Sequence, residues 1–267
     1  MNSRTIGLFT SLALAAAAAR TASADTPASP WGISIYGGDA ITEAGTLRSP
    51  HTVPLTDLGT LDPGLSGTPG TIGVDKLKYS DLYHRNFDTG IELNYSFSDA
   101  LQTYGRFDFE SLDGRTRRIG TVSAEPLLNG AEPLRARFDD QDNKSLELGS
   151  RYFWTTGTDW MPFAGFSLGA TRLDAMRADF VVPDTFIDAH NVRFTRPATV
   201  FSQTVETGIE YNPNPSFGVR FSVDADHMGD QPAAHDAQLA EFGFDPGHDA
   251  KDRWSFPVAI AAAYHFG

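Results

Sequence analysis

The sequence lacks cysteine altogether, is poor in basic residues and has no long apolar run beyond its N-terminal region. The absence of cysteine from all 267 residues excludes disulfide bonds and thiolate metal sites. Lysine and arginine total 21 against 34 aspartates and glutamates. This acidic excess argues against nucleic acid or anionic lipid headgroups as general partners, because both are bound through patches of lysine and arginine. Without a later apolar run, the chain could cross a membrane only with strands.

The first 24 residues are predicted to be a secretory signal peptide. Residues 1–4 carry a positive charge, residues 6–19 are apolar, and Ala22, Ser23 and Ala24 form a small-residue cleavage site. The apolar run is shorter than the ~20 residues of a membrane-spanning helix. Cleavage would remove two arginines and leave 19 basic against 34 acidic residues, a formal charge of −15. Residues 25–30 would then form a short N-terminal segment.

The rest of the chain contains eight segments in which apolar and polar residues alternate. The clearest places Phe87, Ile91 and Leu93 on one face, with Asp88 and Glu92 on the other. Period-two alternation is the pattern of a β-strand with two different faces. The predicted strands are residues 31–38, 86–97, 101–110, 145–154, 161–172, 204–212, 216–226 and 254–266.

The connections between these strands alternate between long and short. The short ones are residues 98–100, 155–160 and 213–215, and the long ones are residues 39–85, 111–144, 173–203 and 227–253. This asymmetry is typical of transmembrane barrels, which have tight periplasmic turns and long extracellular loops. The sequence therefore predicts an all-β, eight-stranded antiparallel up-and-down barrel over residues 31–267, with both termini on the periplasmic side.

Alternation alone does not show which face lies inside the barrel. A soluble eight-stranded barrel of the lipocalin type would turn its apolar face inward. The distribution of aromatic residues favours an apolar exterior, because they cluster near both ends of the strands, as interfacial belts do. They are Trp31, Tyr95, Phe97, Tyr152, Trp154, Tyr211 and Tyr264 near the short turns, and Phe87, Phe109 and Trp254 near the long loops.

The C-terminal residues 262–267 alternate and end close to an aromatic residue, Phe266. They resemble the signal by which outer-membrane barrels are recognised for insertion. The whole plan resembles the small outer-membrane barrels of Gram-negative bacteria, of the OmpA-domain and opacity-type surface antigen class. The resemblance implies outer-membrane lipid and lipopolysaccharide as surroundings. Members of this class act as tethers, adhesins, immune-evasion proteins or lipid A-modifying enzymes.

The predicted interior face carries a network of opposite charges, in which buried charges must be paired. The network comprises Glu92, Asp108, Glu147, Glu206 and Glu210 with Arg106, Arg151 and Arg220. Turn positions predict four cross-strand neighbours: Glu92 with Arg106, Arg151 with Gly165, Glu147 with Gly169, and Arg220 with Gly208. The network could be an ionic core that fills a narrow barrel or the lining of a gated pore. Eight strands leave an interior only just filled by side chains, which favours the ionic core.

Other residues suggest weaker candidate sites. Arg115, Arg117 and Arg118 would either contact lipopolysaccharide phosphates or form a charged extension of a strand. The predicted last loop contains His227, His235 and His248, but their spacing matches no metal-ligand pattern, so neither a metal nor a cofactor is expected. The His-x-Ser pair of lipid A deacylases is absent. Apolar stretches at 180–182 and 242–244 would pack loop on loop or meet a partner.

Three functions remain open from the sequence. The first is a non-enzymatic surface barrel whose loops mediate adhesion, partner contact or envelope integrity, as a monomer. The second is a small pore or a carrier of hydrophobic molecules. The third is an envelope enzyme that modifies lipid A.

Overall fold

The computed structural model describes residues 29–55, 57, 66–124, 130–183, 188–234 and 251–266. The predicted signal peptide, His235, His248 and the apolar stretch at 242–244 lie outside these residues. The described residues form the following strands, with one helical turn, α1 (Tyr79–Leu82), between β5 and β6. They are β1 (Trp31–Ala44), β2 (Thr46–Arg48), β3 (His51–Leu55), β4 (Gly70–Val74), β5 (Leu77–Lys78), β6 (Tyr83–Ser96), β7 (Leu101–Gly114), β8 (Thr116–Ser123), β9 (Ala131–Phe138), β10 (Gln141–Phe153), β11 (Trp160–Leu173), β12 (Arg177–Val181), β13 (Asp188–Arg193), β14 (Ala198–Asn214), β15 (Phe217–Met228) and β16 (Arg253–His265).

Eight of these strands close into an antiparallel barrel, in the order β1-β16-β15-β14-β11-β10-β7-β6. Each strand pairs with the next barrel strand along the chain, and β1 pairs with β16 to close the ring. The predicted eight-stranded up-and-down barrel is therefore confirmed. The strands extend further toward the long connections than predicted, and we call that end of the barrel the rim.

The apolar face of the barrel points outward, as predicted. Along β10, Leu146 and Leu148 are 64% and 72% exposed, whereas Glu147 between them is buried. The same alternation holds on the other strands. Aromatic residues ring the outer wall near the short turns, where Trp31 packs edge-on against Tyr95 with ring centroids 5.0 Å apart.

Short polar side chains close the turns opposite the rim. The Ser98 hydroxyl accepts hydrogen bonds from the backbone N–H groups of Ala100 and Leu101, at 3.3 and 3.2 Å. The Asn214 side-chain oxygen accepts one from the N–H of Ser216 at 3.0 Å. Such side-chain to backbone bonds are what favour Ser and Asn in turns.

Two of the three predicted registers are correct. Glu92 lies opposite Arg106, and Arg151 and Glu147 lie opposite Gly165 and Gly169. The third is wrong by two residues, because Arg220 lies opposite Glu210 and not Gly208. The cause is an irregularity in the pairing between Tyr211 and Asn214, which places the reversal after Asn214. A shift of two residues preserves the side-chain alternation, so each residue keeps its predicted face.

The long connections, predicted to be loops, contain a second sheet in the order β13-β12-β9-β8-β4-β3. We call it the upper sheet. Four of its strands are continuous in the chain with barrel strands: β8 follows β7, β9 precedes β10, β12 follows β11 and β13 precedes β14. These four are neighbours in the same order as the barrel strands that they extend. The upper sheet therefore continues the barrel wall beyond the rim.

A hydrophobic core lies on one face of the upper sheet. It includes Leu47, Leu77, Leu82, Leu112, Ile119, Phe138, Met176, Phe180, Val182 and Phe194. Leu112 belongs to the barrel strand β7, so this core joins the upper sheet to the barrel. Phe180 and Val182 are buried in it, so this stretch packs within the core of the upper sheet, while Val181 between them is exposed.

Candidate functional site

The barrel interior is filled by arginines and carboxylates arranged in successive levels along the barrel. At the level nearest the short turns, Arg151 makes a two-pronged contact with Glu92, at 2.6 and 2.5 Å. Its Nε lies 2.6 Å from Glu206. Arg220 joins the same cluster, 3.2 Å from Glu92 and 2.9 Å from Glu210. Two arginines thus pair with three glutamates, and all five side chains are buried.

Glycines in the wall make room for these side chains. A Cβ on Gly165 would lie 2.9 Å from the Cγ of Arg151, and one on Gly149 would overlap the Tyr104 ring. Tyr104 needs that space because its hydroxyl donates a hydrogen bond to Glu206 at 2.7 Å, and its ring lies 3.9 Å beneath the Arg151 guanidinium. The interior is thus packed with side chains at this level.

Arg106 occupies the middle level. Its guanidinium contacts Glu147 at 2.8 Å and Asp108 at 3.3 Å, with Asp224 further away at 3.8 Å. Thr204 bonds both partners, because its hydroxyl lies 3.3 Å from Arg106 and 3.2 Å from Glu147.

The expected ion pair between Arg106 and Glu92 is absent from the described residues, although the two face each other across β6 and β7. Arg106 is also directly opposite Glu147 on its other neighbour, β10, and it bonds that partner. Glu92 instead reaches across the barrel to Arg151 and Arg220. The register determines which residues are cross-strand neighbours, but long side chains in a closed barrel can also contact residues on strands across the lumen.

A third level, near the rim, centres on Arg253, which was not among the predicted interior residues. Arg253 contacts Glu110 and lies 3.6 Å from Glu43. Asn143 donates to Glu110 at 2.6 Å and Ser255 donates to Glu43 at 3.0 Å. The predicted strand began at residue 254; extending its alternation by one residue would have placed Arg253 on the interior face beside Ser255.

Between the middle and rim levels lies a small polar cavity of about 20 Å³, lined by Asp88, Asp108, Glu110, Glu147, Asp226 and Arg106 among others. A cavity of this size holds about one water molecule. Arg151, Arg106 and Arg253, one at each level, are all buried among their partners.

A larger groove of about 650 Å³ lies on the outer wall and not in the lumen. It is lined mainly by Trp31, Leu93, Leu148, Phe166 and Leu168 around Gly105. Gly105 has no side chain to project, so the larger neighbours stand around a depression in the apolar surface.

Among the described residues, no group of three or more His, Asp or Glu side chains is arranged so that it could hold a metal ion. His227, predicted in a loop, lies near the rim end of β15. Its Nε2 is 3.0 Å from Asp252, and its ring packs against Trp254 with centroids 4.7 Å apart.

The predicted basic patch divides between two faces of β8. Arg115 donates hydrogen bonds to the backbone carbonyls of Asp81, at 2.7 Å, and of Ser80. Arg117 lies 3.2 Å from the Asp81 carboxylate. Both residues therefore hold α1, whereas Arg118 projects from the opposite face of the strand.

No family model and no curated protein matches the chain. Among solved structures, Neisserial surface protein A is 12% identical with a TM-score of 0.44, over 90% of this chain and 100% of that one. OprG of Pseudomonas aeruginosa is 16% identical with a TM-score of 0.39, over 91% and 100%. Ail of Yersinia pestis, solved with the heparin analogue sucrose octasulfate, is 12% identical with a TM-score of 0.36, over 88% and 99%. These values are too low to support an inference about function. No helix among the described residues is long and apolar enough to cross a membrane.

Proposed function

We propose that this chain is a plugged, non-enzymatic barrel of the Gram-negative outer membrane that holds the upper sheet outside the cell for contact with a partner. The observation that carries the proposal is the filled interior, in which Arg151, Arg106 and Arg253 are ion-paired at successive levels. A barrel with this lumen acts as a rigid support, and the upper sheet lies beyond its rim.

The outer wall supports the placement in a membrane. Large apolar residues are exposed on all eight strands, among them Ile35, Ile91, Phe107, Leu148, Leu168, Val205, Phe221 and Val258. A soluble monomer rarely exposes an apolar patch above a few hundred Å². The barrel strands run from 12 to 17 residues, longer than the ~9–11 residues that span a bilayer. Their rim ends would therefore project from the membrane together with the upper sheet.

The alternative functions have less support. A pore needs a continuous aqueous lumen, whereas buried ion pairs occupy the interior at three levels and the cavity between the middle and rim levels holds about one water molecule. A carrier of hydrophobic molecules needs an enclosed apolar site, whereas the groove around Gly105 opens on the face that would contact lipid. We therefore do not propose transport as the function of the barrel.

Single cysteines test the orientation cleanly, because the natural chain has none. Ala131→Cys at the start of β9 and Asp99→Cys in a short turn both lie at exposed positions. On intact cells, a membrane-impermeant maleimide should label position 131 and should reach position 99 only after the outer membrane is permeabilised. Labelling of position 99 on intact cells would show that the orientation is inverted.

Planar bilayer recordings test the plug separately. The refolded protein should show no steady conductance. A stable open channel from the unmodified chain would refute the plugged interior.

A further inference from the structure

The face of the upper sheet that points away from its hydrophobic core carries five arginines, which we call the arginine face. They are Arg118 on β8, Arg135 and Arg137 on β9, Arg177 on β12 and Arg193 on β13. All are exposed except Arg177, which is partly buried. The four strands span about 14 Å at the usual spacing between strands. This density of arginine is unusual in a chain whose formal charge is −13.

Like charges lie directly opposite each other on this face. Arg118 is the cross-strand neighbour of Arg135, and Arg177 is that of Arg193. Opposed like charges destabilise a strand pair, so the arrangement costs stability in the isolated protein. The Arg135 side chain makes no hydrogen bond or ion pair with any described residue.

Acidic residues compensate only part of this charge. Asp179 lies between Arg137, at 2.9 Å, and His190, at 3.6 Å. The N–H of Asn191 also donates a hydrogen bond to the Asp179 carboxylate, which lowers the pKa of Asp179, with the charge of Arg137 acting in the same direction. The exposed Asp139 lies beside Arg177, whose carbonyl accepts a hydrogen bond from the Asp139 N–H at 3.0 Å. Asp139 and Asp179 thus lie among the arginines of this face.

The arginine face continues the outer wall of the barrel. Its strands extend β7, β10, β11 and β14, and its opposite face packs on the core that contains Leu112 of β7. Lower on the same wall, Lys144 and Arg172 are exposed cross-strand neighbours just above the apolar Leu146 and Ala170. Between the two basic levels lie exposed aspartates at positions 113, 140, 142 and 174.

We propose that the arginine face binds the phosphorylated head group of a neighbouring outer-leaflet glycolipid, lipopolysaccharide. This inference rests on the proposed outer-membrane location. The arginine guanidinium matches a phosphate with two parallel hydrogen bonds. Because its strands continue the barrel wall and its opposite face packs on the core with Leu112, the arginine face continues the outer side of that wall, which would border the surrounding lipid. A head group whose acyl chains lie against the apolar wall would therefore meet Lys144 and Arg172 first and the arginine face above them.

This assignment replaces part of the basic patch predicted from sequence. Arg118 belongs to the face, whereas Arg115 and Arg117 point to the other side of β8 and bind α1. Arg117 and Arg118 are adjacent in sequence and on opposite faces, so they form a matched pair for an experiment.

The test compares Arg118→Gln/Arg135→Gln with Arg117→Gln in the refolded full-length mature protein. Binding of purified lipopolysaccharide in detergent micelles is measured by fluorescence titration. Each arginine near an anionic lipid surface contributes about 1 kcal/mol, or roughly fivefold in affinity. The double variant should bind about 25-fold more weakly, and Arg117→Gln should bind like the unmodified protein. Equal affinity of the double variant and the unmodified protein would overturn the proposal.

Three further measurements distinguish loss of the lipid site from unfolding and from the binding of a soluble anion. Because Gln removes the repulsion between the opposed arginines, the double variant should be no less stable in lipopolysaccharide-free detergent, so weaker binding would not reflect unfolding. Chemically dephosphorylated lipopolysaccharide should bind weakly, and equally so, to the unmodified protein and to the double variant. If a soluble polyphosphate bound as tightly as the glycolipid, the proposal of a membrane lipid as the ligand would be overturned in favour of a soluble anion. Labelling at position 131 decides the location independently, so failure of the location and failure of the lipid site are distinguishable.

Discussion

The pairing of Arg106 with Glu147 yields the sharpest quantitative prediction about the plug. Arg106→Met removes the guanidinium but retains much of the side-chain volume. Glu147 would remain buried, with Ser167 at 2.6 Å and Thr204 at 3.2 Å as its remaining donors. Breaking a buried pair costs about 3–5 kcal/mol, and the two hydroxyl donors place the expected cost near the lower end, about 3 kcal/mol.

A double-mutant cycle measures whether the two side chains interact. Glu147→Gln keeps an acceptor for Ser167 and Thr204, so the double variant Arg106→Met/Glu147→Gln should lose less stability than the two single changes together. The coupling should reach at least about 1 kcal/mol in the free energy of unfolding, measured by urea titration in lipid vesicles with tryptophan fluorescence.

The control cycle combines Arg106→Met with Glu210→Gln. Glu210 bonds Arg220 at 2.9 Å and shares no partner with Arg106, so these two changes should add to within about 0.5 kcal/mol. Additive behaviour of Arg106 and Glu147 would refute the contact. Full stability of Arg106→Met together with a steady conductance would refute the plug itself.

Three further predictions address the wall, the upper core and a buried tyrosine. Ile91→Arg on the apolar wall should lower the stability in lipid vesicles by about 2–4 kcal/mol, whereas Ile41→Arg, already 73% exposed near the rim, should cost less than about 1 kcal/mol; equal effects would argue against a bilayer around Ile91. Leu82→Ala in the upper core should cost about 2–5 kcal/mol and admit protease to the upper sheet, while the barrel keeps its heat-sensitive gel mobility. Burial raises the pKa of Tyr79 to about 12, so its contribution to stability is complete below about pH 10 and is lost as the pH rises toward 12. At about pH 11, Tyr79→Phe should remove one unionised tyrosine from the absorbance titration, and an unchanged count would show that Tyr79 is not buried.

The barrel could be predicted from the sequence because one physical constraint acts on every strand. A wall with an apolar outside and a polar inside forces period-two alternation, and residues 86–97 show it without interruption. The registers around the first two turns followed from that parity and the turn lengths. The third failed because the pairing irregularity near Asn214 leaves no mark on the alternation.

The interior partners could be predicted only in part. Alternation identified Arg106, Arg151 and Arg220 as interior residues, but it does not say which carboxylate each would bond. Arg151 reaches Glu92 on β6 and Glu206 on β14, and neither strand is its neighbour in the sheet. Such contacts depend on the curvature of the closed barrel, which no local pattern encodes.

The upper sheet escaped detection because the alternation changes phase where the barrel strands end. On β10 the odd-numbered residues, such as Asn143 and Glu147, point inward, whereas on β9 the even-numbered Ala136 and Phe138 do. The same change separates Leu173 on β11 from Ala178 on β12. If each long segment is treated as one continuous pattern, neither the odd nor the even positions are consistently apolar. The segments therefore resemble irregular loops.

The phase change also explains why the arginine face was not apparent in the sequence. Arg135 and Arg137 are odd-numbered, so continuing the phase of β10 through residues 139 and 140 would place them inside the barrel, where two more unpaired charges would be costly. With the phase inverted, both point outward, beside Arg118 and above Lys144. A pattern that allows one phase change at each strand end would have grouped these residues on a single surface. The two-residue junction at 139 and 140 inverts the phase, and arginines that are far apart in the sequence therefore lie on one outer surface, above the apolar band of the barrel.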